Sequence, residues 1–125
     1  MTKFKISVII ITWNRIASLK ETLENILSDS YSTKEIIVAD NNSTDGTADI
    51  IRKEYPSVIY HYNQQNLGVP GGRNSGIRNA TGDILFFIDN DAELMENGLG
   101  KIADYFLKDP NLGILAPQIK NFYTK

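Results

Sequence analysis

The chain has 125 residues, of which 42% are hydrophobic and 22% are charged, and this balance is typical of one globular domain. It contains no cysteine, which excludes disulfides, thiolate metal sites and a cysteine nucleophile. A formal net charge of −2 argues against a nucleic-acid partner, because neutralising many phosphates needs clustered Lys and Arg. With no membrane-spanning apolar run and no signal-peptide pattern, we predict a cytoplasmic chain, with the inner face of the membrane as an alternative location.

The first part of the chain predicts a strand followed by a helix. Residues 6–12 are apolar on both alternating faces and rich in β-branched side chains, as in a parallel strand covered on both sides. After the polar segment 13–15, apolar residues recur at the spacing of a helical stripe. They are Ile16, Leu19, Leu23, Ile26 and Leu27.

Strands and helices continue to alternate along the rest of the chain. The predicted elements are a strand at 35–39, a helix at 47–54, a strand at 58–62, a glycine-bearing loop at 63–72, a helix at 73–80, a strand at 84–88, a helix at 96–107 with Leu99, Ile102, Ala103 and Phe106 on its apolar face, and a fifth strand at 113–116. No repeat or linker divides the chain. We therefore predict one α/β domain, a three-layer α/β/α sandwich with a mostly parallel sheet and helices on both faces.

Polar residues gather where the predicted strands end. In open parallel sheets, ligands bind beyond the carboxyl ends of the strands, so these positions are the candidates for a binding site. The candidate residues are Thr12, Trp13, Asn14, Arg15, Asp40, Asp45, Asn66, Gly68, Arg73, Asp89 and Asp91.

Asp89 and Asp91 directly follow the apolar strand predicted at 84–88. Hard divalent cations take oxygen ligands and commonly join one or two carboxylates to phosphate oxygens, so the pair suits Mg²⁺ or Mn²⁺ beside a diphosphate. The alternative is a turn in which the Asp side chains bond their own backbone and cap the next helix. The preceding apolar strand and a second Asp-containing loop at the same edge favour the metal site.

The loop after the second predicted strand is rich in turn-forming residues. Asp40, at the strand end, is placed to hydrogen-bond a base or ribose, whereas Asp45 and Gly46 shape the turn and one of residues 43–45 caps the following helix. Trp13, after the first strand, can stack on a nucleobase or simply pack against the protein.

Residues 68–76 contain several glycines but fit no common phosphate motif. Pro70 breaks the dinucleotide-binding pattern, and the residues after Gly72 are not those of a P-loop. The glycines allow either close approach of a ligand or an ordinary flexible loop. Arg73, at the start of the predicted helix, could meet a base or a phosphate with its forked donors.

Four segments together resemble the family 2 glycosyltransferases, namely residues 7–15, 38–46, 66–76 and 87–94. The sequence of residues 66–76 is most similar to that of the rhamnosyltransferase-type branch of this family. The resemblance implies a GT-A fold and a role in polysaccharide biosynthesis. It also implies inverting transfer of a sugar from a UDP-, dTDP- or GDP-sugar to a sugar, lipid or peptide acceptor.

The resemblance also implies roles for particular residues. Thr12 and Asp40 would contact the nucleoside, and Arg73 would support the base or the diphosphate. Asp89 would face the ribose or the sugar and lie beside the metal, while Asp91 would bind Mg²⁺ or Mn²⁺.

The chain departs from the family pattern at two points. Trp13 stands where Tyr is commoner, and the acceptor half that carries the catalytic base has no counterpart in residues 1–125. We therefore expect these residues to supply only the donor-binding part, and we assign no catalytic residue. An unpaired sheet edge near residues 112–119 would favour a homodimer.

Two other functions fit parts of the pattern. A sugar-nucleotide nucleotidyltransferase would need a glycine-rich phosphate loop after the first strand, where the chain has the segment 13–15. A non-catalytic nucleotide-binding module would need only the donor-side motifs.

Overall fold

The computed structural model describes residues 3–121, in which four strands alternate with four helices. The strands are β1 (Ile6–Thr12), β2 (Lys34–Asp40), β3 (Ile59–Tyr62) and β4 (Ile84–Asp89), and the helices are α1 (Ile16–Ser28), α2 (Thr47–Glu54), α3 (Gly68–Arg78) and α4 (Gly98–Lys108). None of the helices in residues 3–121 is both long enough and apolar enough to span a membrane.

The strands form one parallel sheet in the order β3-β2-β1-β4. β1 lies at its centre, where Ile10 is in register with Val38 of β2 and Ile88 of β4. Because all strands run in the same direction, their carboxyl ends meet at a single edge of the sheet, here called the carboxyl edge. The predicted parallel sheet is confirmed.

One face of the sheet packs against α1, α2 and α4. Alternate β1 residues, from Ile6 through Val8 to Ile10, point into this core because side chains of a strand alternate between its faces. The helices contribute Leu19, Leu23, Ile26, Ile51, Leu99, Ile102 and Ala103 to the same core. Each fully buried Leu or Ile stabilises the fold by about 1.5–3 kcal/mol. Of the predicted apolar positions, Phe106 packs against this core and Leu27 is exposed.

α3 covers the opposite face and approaches the sheet through glycines. A Cβ atom on Gly76 would lie 2.5 Å from Ile9 Cγ2, and one on Gly72 would lie 2.9 Å from Ile11 Cγ2. Any larger residue at these positions would push α3 away from β1. With helices on both faces, the predicted three-layer sandwich is confirmed.

Two sequence predictions were wrong. α3 begins at Gly68 and not at Arg73, because the glycines pack as part of a helix and Pro70 is tolerated in a first helical turn. Residues 113–116 form no strand, and Ile114 is 89% exposed. An extended segment becomes a strand only when a neighbouring strand takes up its backbone hydrogen bonds, and within residues 3–121 this segment has no such neighbour.

Candidate functional site

The carboxyl edge brings the predicted site segments side by side. β1 and β2 end in register at Thr12 and Asp40, and Asp89 of β4 lies in register with Ile11. The ladder continues one residue further, because the backbone N–H of Asn41 donates to the carbonyl of Thr12 at 2.9 Å. The loops at 13–15, 41–46, 63–67 and 90–97 therefore leave the sheet next to one another.

Asn14 joins the first two of these loops. Its backbone N–H donates to Ser43 Oγ at 2.8 Å, and its Oδ1 accepts the backbone N–H of Thr44 at 2.7 Å. Its φ of 50° lies in the left-handed region, which Asn tolerates better than most residues. Asn14 thus fixes the course of the loop that carries its exposed neighbours Trp13 and Arg15.

Asp45 supports two helix starts at once. Its Oδ2 accepts the backbone N–H of Ile16 at 3.2 Å, and its Oδ1 accepts the hydroxyl of Thr47 at 2.5 Å and the backbone N–H of Thr47 at 3.3 Å. Burial by itself would raise the pKa of Asp45, but these hydrogen bonds outweigh it and lower the pKa below its ordinary value. The helix cap predicted within residues 43–45 was wrong: the N-cap residue of α2 is Gly46, which makes no side-chain cap hydrogen bond, and Asp45 instead bonds Thr47 at the first position of the helix.

Asp40 points into the protein. It is 0% exposed, its Oδ1 accepts the backbone N–H of Ser43 at 2.8 Å, and its Oδ2 accepts the Tyr60 hydroxyl at 2.5 Å. Burial and the adjacent Asp40 carboxylate raise the pKa of Tyr60 far above its ordinary value. Tyr60 was not anticipated from the sequence, because nothing near position 40 reveals which side chain from β3 faces it. The nucleoside contact predicted for Asp40 would require this enclosed carboxylate to become accessible.

A buried amide network ties β2 and β3 to the start of α3. Asn63 Nδ2 donates to Asn41 Oδ1 and to Ser75 Oγ, each at 3.0 Å, and Asn41 Nδ2 donates to the Gly68 carbonyl at 2.9 Å. The predicted site residue Asn66 accepts the Gly68 N–H at 2.9 Å. Gly68 itself has a φ of 71°, which favours glycine at the point where the chain enters the helix. Asn66 and Gly68 therefore shape the approach to α3.

A smaller set of predicted residues is exposed at the carboxyl edge. Trp13 is 54% exposed, and Arg15 and Arg73 are also exposed. The Arg73 guanidinium lies 5.7 Å from the ring centre of Phe87, a cation–π distance. An aromatic surface and two guanidinium groups are thus open to a ligand.

Asp89 and Asp91 are exposed, and within residues 3–121 neither carboxylate accepts a hydrogen bond or forms an ion pair. Between them, Asn90 Nδ2 donates to Thr12 Oγ1 at 3.1 Å, and Thr12 is only 1% exposed. Thr12 therefore holds the segment 89–91 against the end of β1. Its buried hydroxyl has this protein partner, whereas the two carboxylates have none in the part of the chain that the structure describes.

The donor set at Asp89 and Asp91 fits a hard divalent cation. Both side chains offer carboxylate oxygens, and the part of the chain that the structure describes contains no cluster of three or more His, Cys, Asp or Glu suited to a metal. Mg²⁺ sites commonly use one or two carboxylates, with phosphate oxygens and water as the remaining ligands. Two exposed aspartates suit a metal that arrives with, or is completed by, a phosphate ligand.

The sheet order, the helices on both faces and the aspartate pair at the carboxyl edge define the class of GT-A α/β domains. The family model described as Glycosyl transferase family 2 matches residues 7–124. The chain belongs to this family.

Two bacterial proteins are similar to most of the chain. The chain is 33% identical over 102 residues to the GalNAc(5)-diNAcBac-PP-undecaprenol beta-1,3-glucosyltransferase of Campylobacter jejuni, covering 78% of this chain and 33% of the relative. It is 31% identical over 120 residues to the poly-beta-1,6-N-acetyl-D-glucosamine synthase of Staphylococcus aureus, covering 93% of this chain and 29% of the relative. The chain thus spans about a third of the length of these relatives.

Solved structures share the fold. The mannosyltransferase PcManGT from Pyrobaculum calidifontis, in complex with GDP-Man and Mn²⁺, has a TM-score of 0.77 and 28% identity, covering 90% of this chain and 34% of that one. S. aureus TarS 1-349 in complex with UDP has a TM-score of 0.72 and 28% identity, covering 83% and 32%.

Proposed function

We propose that this chain forms the donor-binding part of a glycosyltransferase that binds a nucleoside-diphosphate sugar together with Mg²⁺ or Mn²⁺. The observation that carries the proposal is the exposed pair Asp89 and Asp91 at the carboxyl edge of the sheet, whose carboxylates have no partner within residues 3–121. Neighbours of the same fold in complex with GDP-Man and Mn²⁺, or with UDP, support it.

Each exposed group at the carboxyl edge has a chemical role in this proposal. Asp91 and Asp89 would hold the cation, which when bound neutralises charge on the leaving diphosphate. The Trp13 ring offers a stacking surface for the base, an interaction worth about 1–3 kcal/mol. Arg73 and Arg15 can donate paired hydrogen bonds to phosphate oxygens, because the guanidinium is planar and always charged.

The acceptor and the stereochemistry extend the same proposal. One relative is named as a glucosyltransferase for an undecaprenol-linked glycan and another as a poly-N-acetylglucosamine synthase, which favours transfer to a hydroxyl of a growing glycan. Inversion is what the family resemblance implies. We place the acceptor site and the catalytic base in the parts of a longer protein that correspond to the remainder of these relatives. A cytoplasmic location, where nucleotide sugars are available, is part of the proposal.

Calorimetric titration tests donor binding directly. UDP, dTDP and GDP would each be titrated with and without Mn²⁺, with inorganic diphosphate as the control ligand. We expect at least one nucleoside diphosphate to bind more tightly in Mn²⁺, and inorganic diphosphate to bind more weakly because it has no base to contact Trp13. If none of the three nucleotides binds, or if Mn²⁺ has no effect on any of them, the proposal is wrong.

A further inference from the structure

The loop after β4 is attached to α1 by side chains that the proposed donor site does not include. Thr22 Oγ1 donates to the carbonyl of Ala92 at 3.1 Å. Asn25 bonds both backbone groups of Leu94: its Oδ1 accepts the Leu94 N–H at 2.7 Å, and its Nδ2 donates to the Leu94 carbonyl at 3.1 Å. The Asn25 amide thus pairs with Leu94 as the backbone of a neighbouring strand would.

α1 is a firm support for these hydrogen bonds. Its residues Leu19, Leu23 and Ile26 are all 0% exposed, so the helix is fixed by the core on the face that neighbours the loop anchors. Thr22, between these core residues, is 1% exposed. A loop bonded to this part of α1 takes up the position that the core dictates.

Asp91 lies between two residues of the loop that are held by hydrogen bonds. Asn90, immediately before it, is held by Thr12, and Ala92, immediately after it, is held by Thr22. Within residues 3–121 the Asp91 carboxylate makes no hydrogen bond or ion pair, so the backbone on either side determines where it points. A metal ligand must be held to within about 0.5 Å of its working position, which makes backbone anchors of this kind important.

We propose that Asn25 is a positioning residue for the carboxylate pair: its two hydrogen bonds to Leu94 hold the loop at 90–97 in the conformation in which Asp91 meets the divalent cation. This rests on the proposed function. Trp13 lies on a different loop, which Asn14 joins to Ser43 and Thr44. Loss of Asn25 should therefore affect the metal and leave the base-stacking surface intact.

The test separates metal affinity from nucleoside affinity. Asn25→Ala removes both hydrogen bonds to Leu94, and Asn25→Asp keeps the acceptor but loses the donor. Ser28→Ala is the matched control, because Ser28 lies one turn further along α1 and its hydroxyl donates to the Asn25 backbone carbonyl within the helix. For each variant we would titrate Mn²⁺ in the presence of UDP or GDP, titrate uridine or guanosine without metal, and follow hydrogen exchange of the Leu94 amide.

Outer partners of metal ligands typically contribute 10–100-fold to metal affinity. We expect Asn25→Ala to raise the Mn²⁺ concentration at half-saturation about tenfold, the lower end of that range, and to speed exchange at Leu94, with nucleoside affinity unchanged. Asn25→Asp should give a smaller shift and Ser28→Ala none. If Asn25→Ala does not fold, the change in the Mn²⁺ concentration at half-saturation of Asn25→Asp decides whether the proposal holds.

Three outcomes would contradict the assignment. The first is an unchanged Mn²⁺ response in Asn25→Ala despite faster exchange at Leu94, and the second is an equal loss of nucleoside and Mn²⁺ binding, which would indicate a general structural role. The third is the absence of any Mn²⁺ response in the unaltered chain, which would refute the proposed function together with this assignment. Only the first two leave the proposed function intact.

Discussion

Within residues 3–121, the fold supplies hydrogen-bond donors to Glu35 and Asp83 at the amino edge of the sheet, where the strands begin, but none to the Asp89–Asp91 pair at the carboxyl edge. At the amino edge, Glu35 Oε1 accepts the Ser7 hydroxyl at 2.7 Å and the Thr81 hydroxyl and N–H at 2.7 and 2.8 Å, and Asp83 accepts the Lys5 N–H at 2.8 Å. At the carboxyl edge, the Asp89–Asp91 pair has no such partner within residues 3–121. Acids that the fold supplies with donors stabilise it, whereas acids without donors are available to a ligand.

The electrostatics of Glu35 agree with this division. Burial by itself would raise the pKa of Glu35, but the hydrogen bonds from Ser7 and Thr81 and the charge of Lys5, 3.7 Å away, lower it below the ordinary value of 4.5. The folded state therefore favours the ionised carboxylate at the amino edge. Substitution of Glu35 should therefore change stability, whereas substitution of Asp89 or Asp91 should change metal-dependent binding.

The largest expected effect is that of Asp91→Asn on metal-dependent binding. Since loss of an outer partner already costs up to about 100-fold in metal affinity, loss of a direct ligand should cost at least about 100-fold. Calorimetry of nucleoside diphosphate binding in Mn²⁺ measures it. Stability should stay within about 0.5 kcal/mol, because the exposed carboxylate has no partner to lose among the described residues. Unchanged affinity in Mn²⁺ would contradict the metal site.

Glu35→Gln should have the opposite profile. Charge-assisted hydrogen bonds are about twice as strong as neutral ones, so the variant should be less stable by about 1–2 kcal/mol near neutral pH, with the Mn²⁺ response intact. Because folding lowers the pKa of Glu35, its contribution is complete above 4.5 and is lost as the pH falls through the lower folded-state pKa. As the pH falls through this range, the urea midpoints of the unaltered chain and of Glu35→Gln should converge. A difference between the two midpoints that does not change with pH would refute this prediction.

Trp13→Ala tests the exposed aromatic at the carboxyl edge. Losing a stacking surface for a base should weaken binding of the plain nucleoside by about tenfold, or about 1.4 kcal/mol, with or without metal. Trp13→Phe is the matched control, since it keeps a ring and should lose less. If Trp13→Ala and Trp13→Phe both bind the nucleoside as tightly as the unaltered chain, Trp13 only packs against the protein.

The smallest effect is expected for Asp45→Asn, a carboxyl-edge acid whose oxygens are both in use. Asparagine has a single carbonyl oxygen, so it can accept from Ile16 or from Thr47 but not from both in the same way. The loss of one of these hydrogen bonds at a helix start should reduce stability by about 0.5–1 kcal/mol, measured by urea unfolding. Metal-dependent binding should remain unchanged. Its loss would show that Asp45 takes part in ligand binding.

Much of the fold could be read from the sequence because it depends on local periodicity. The apolar run at 6–12 and the helical pattern at 47–54 match β1 and α2. The start of α3 was missed, because the reason for Gly72 and Gly76 is the proximity of Ile11 and Ile9, which are distant in sequence. The predicted strand at 113–116 failed because an apolar run does not reveal whether a partner strand is present.

The sequence by itself determined that acids and amides collect at one edge of a parallel sheet, because strand direction follows from the alternation of strands and helices. Only the tertiary structure decided which of these side chains are hydrogen-bonded to other parts of the protein. Asp40 finds its donor in Tyr60, from β3, and Asp45 finds one in Ile16, at the start of α1. Asp91 finds none within residues 3–121. The physical reason is that a carboxylate is satisfied by donors close in space, and these come from segments whose proximity exists only once the chain has folded.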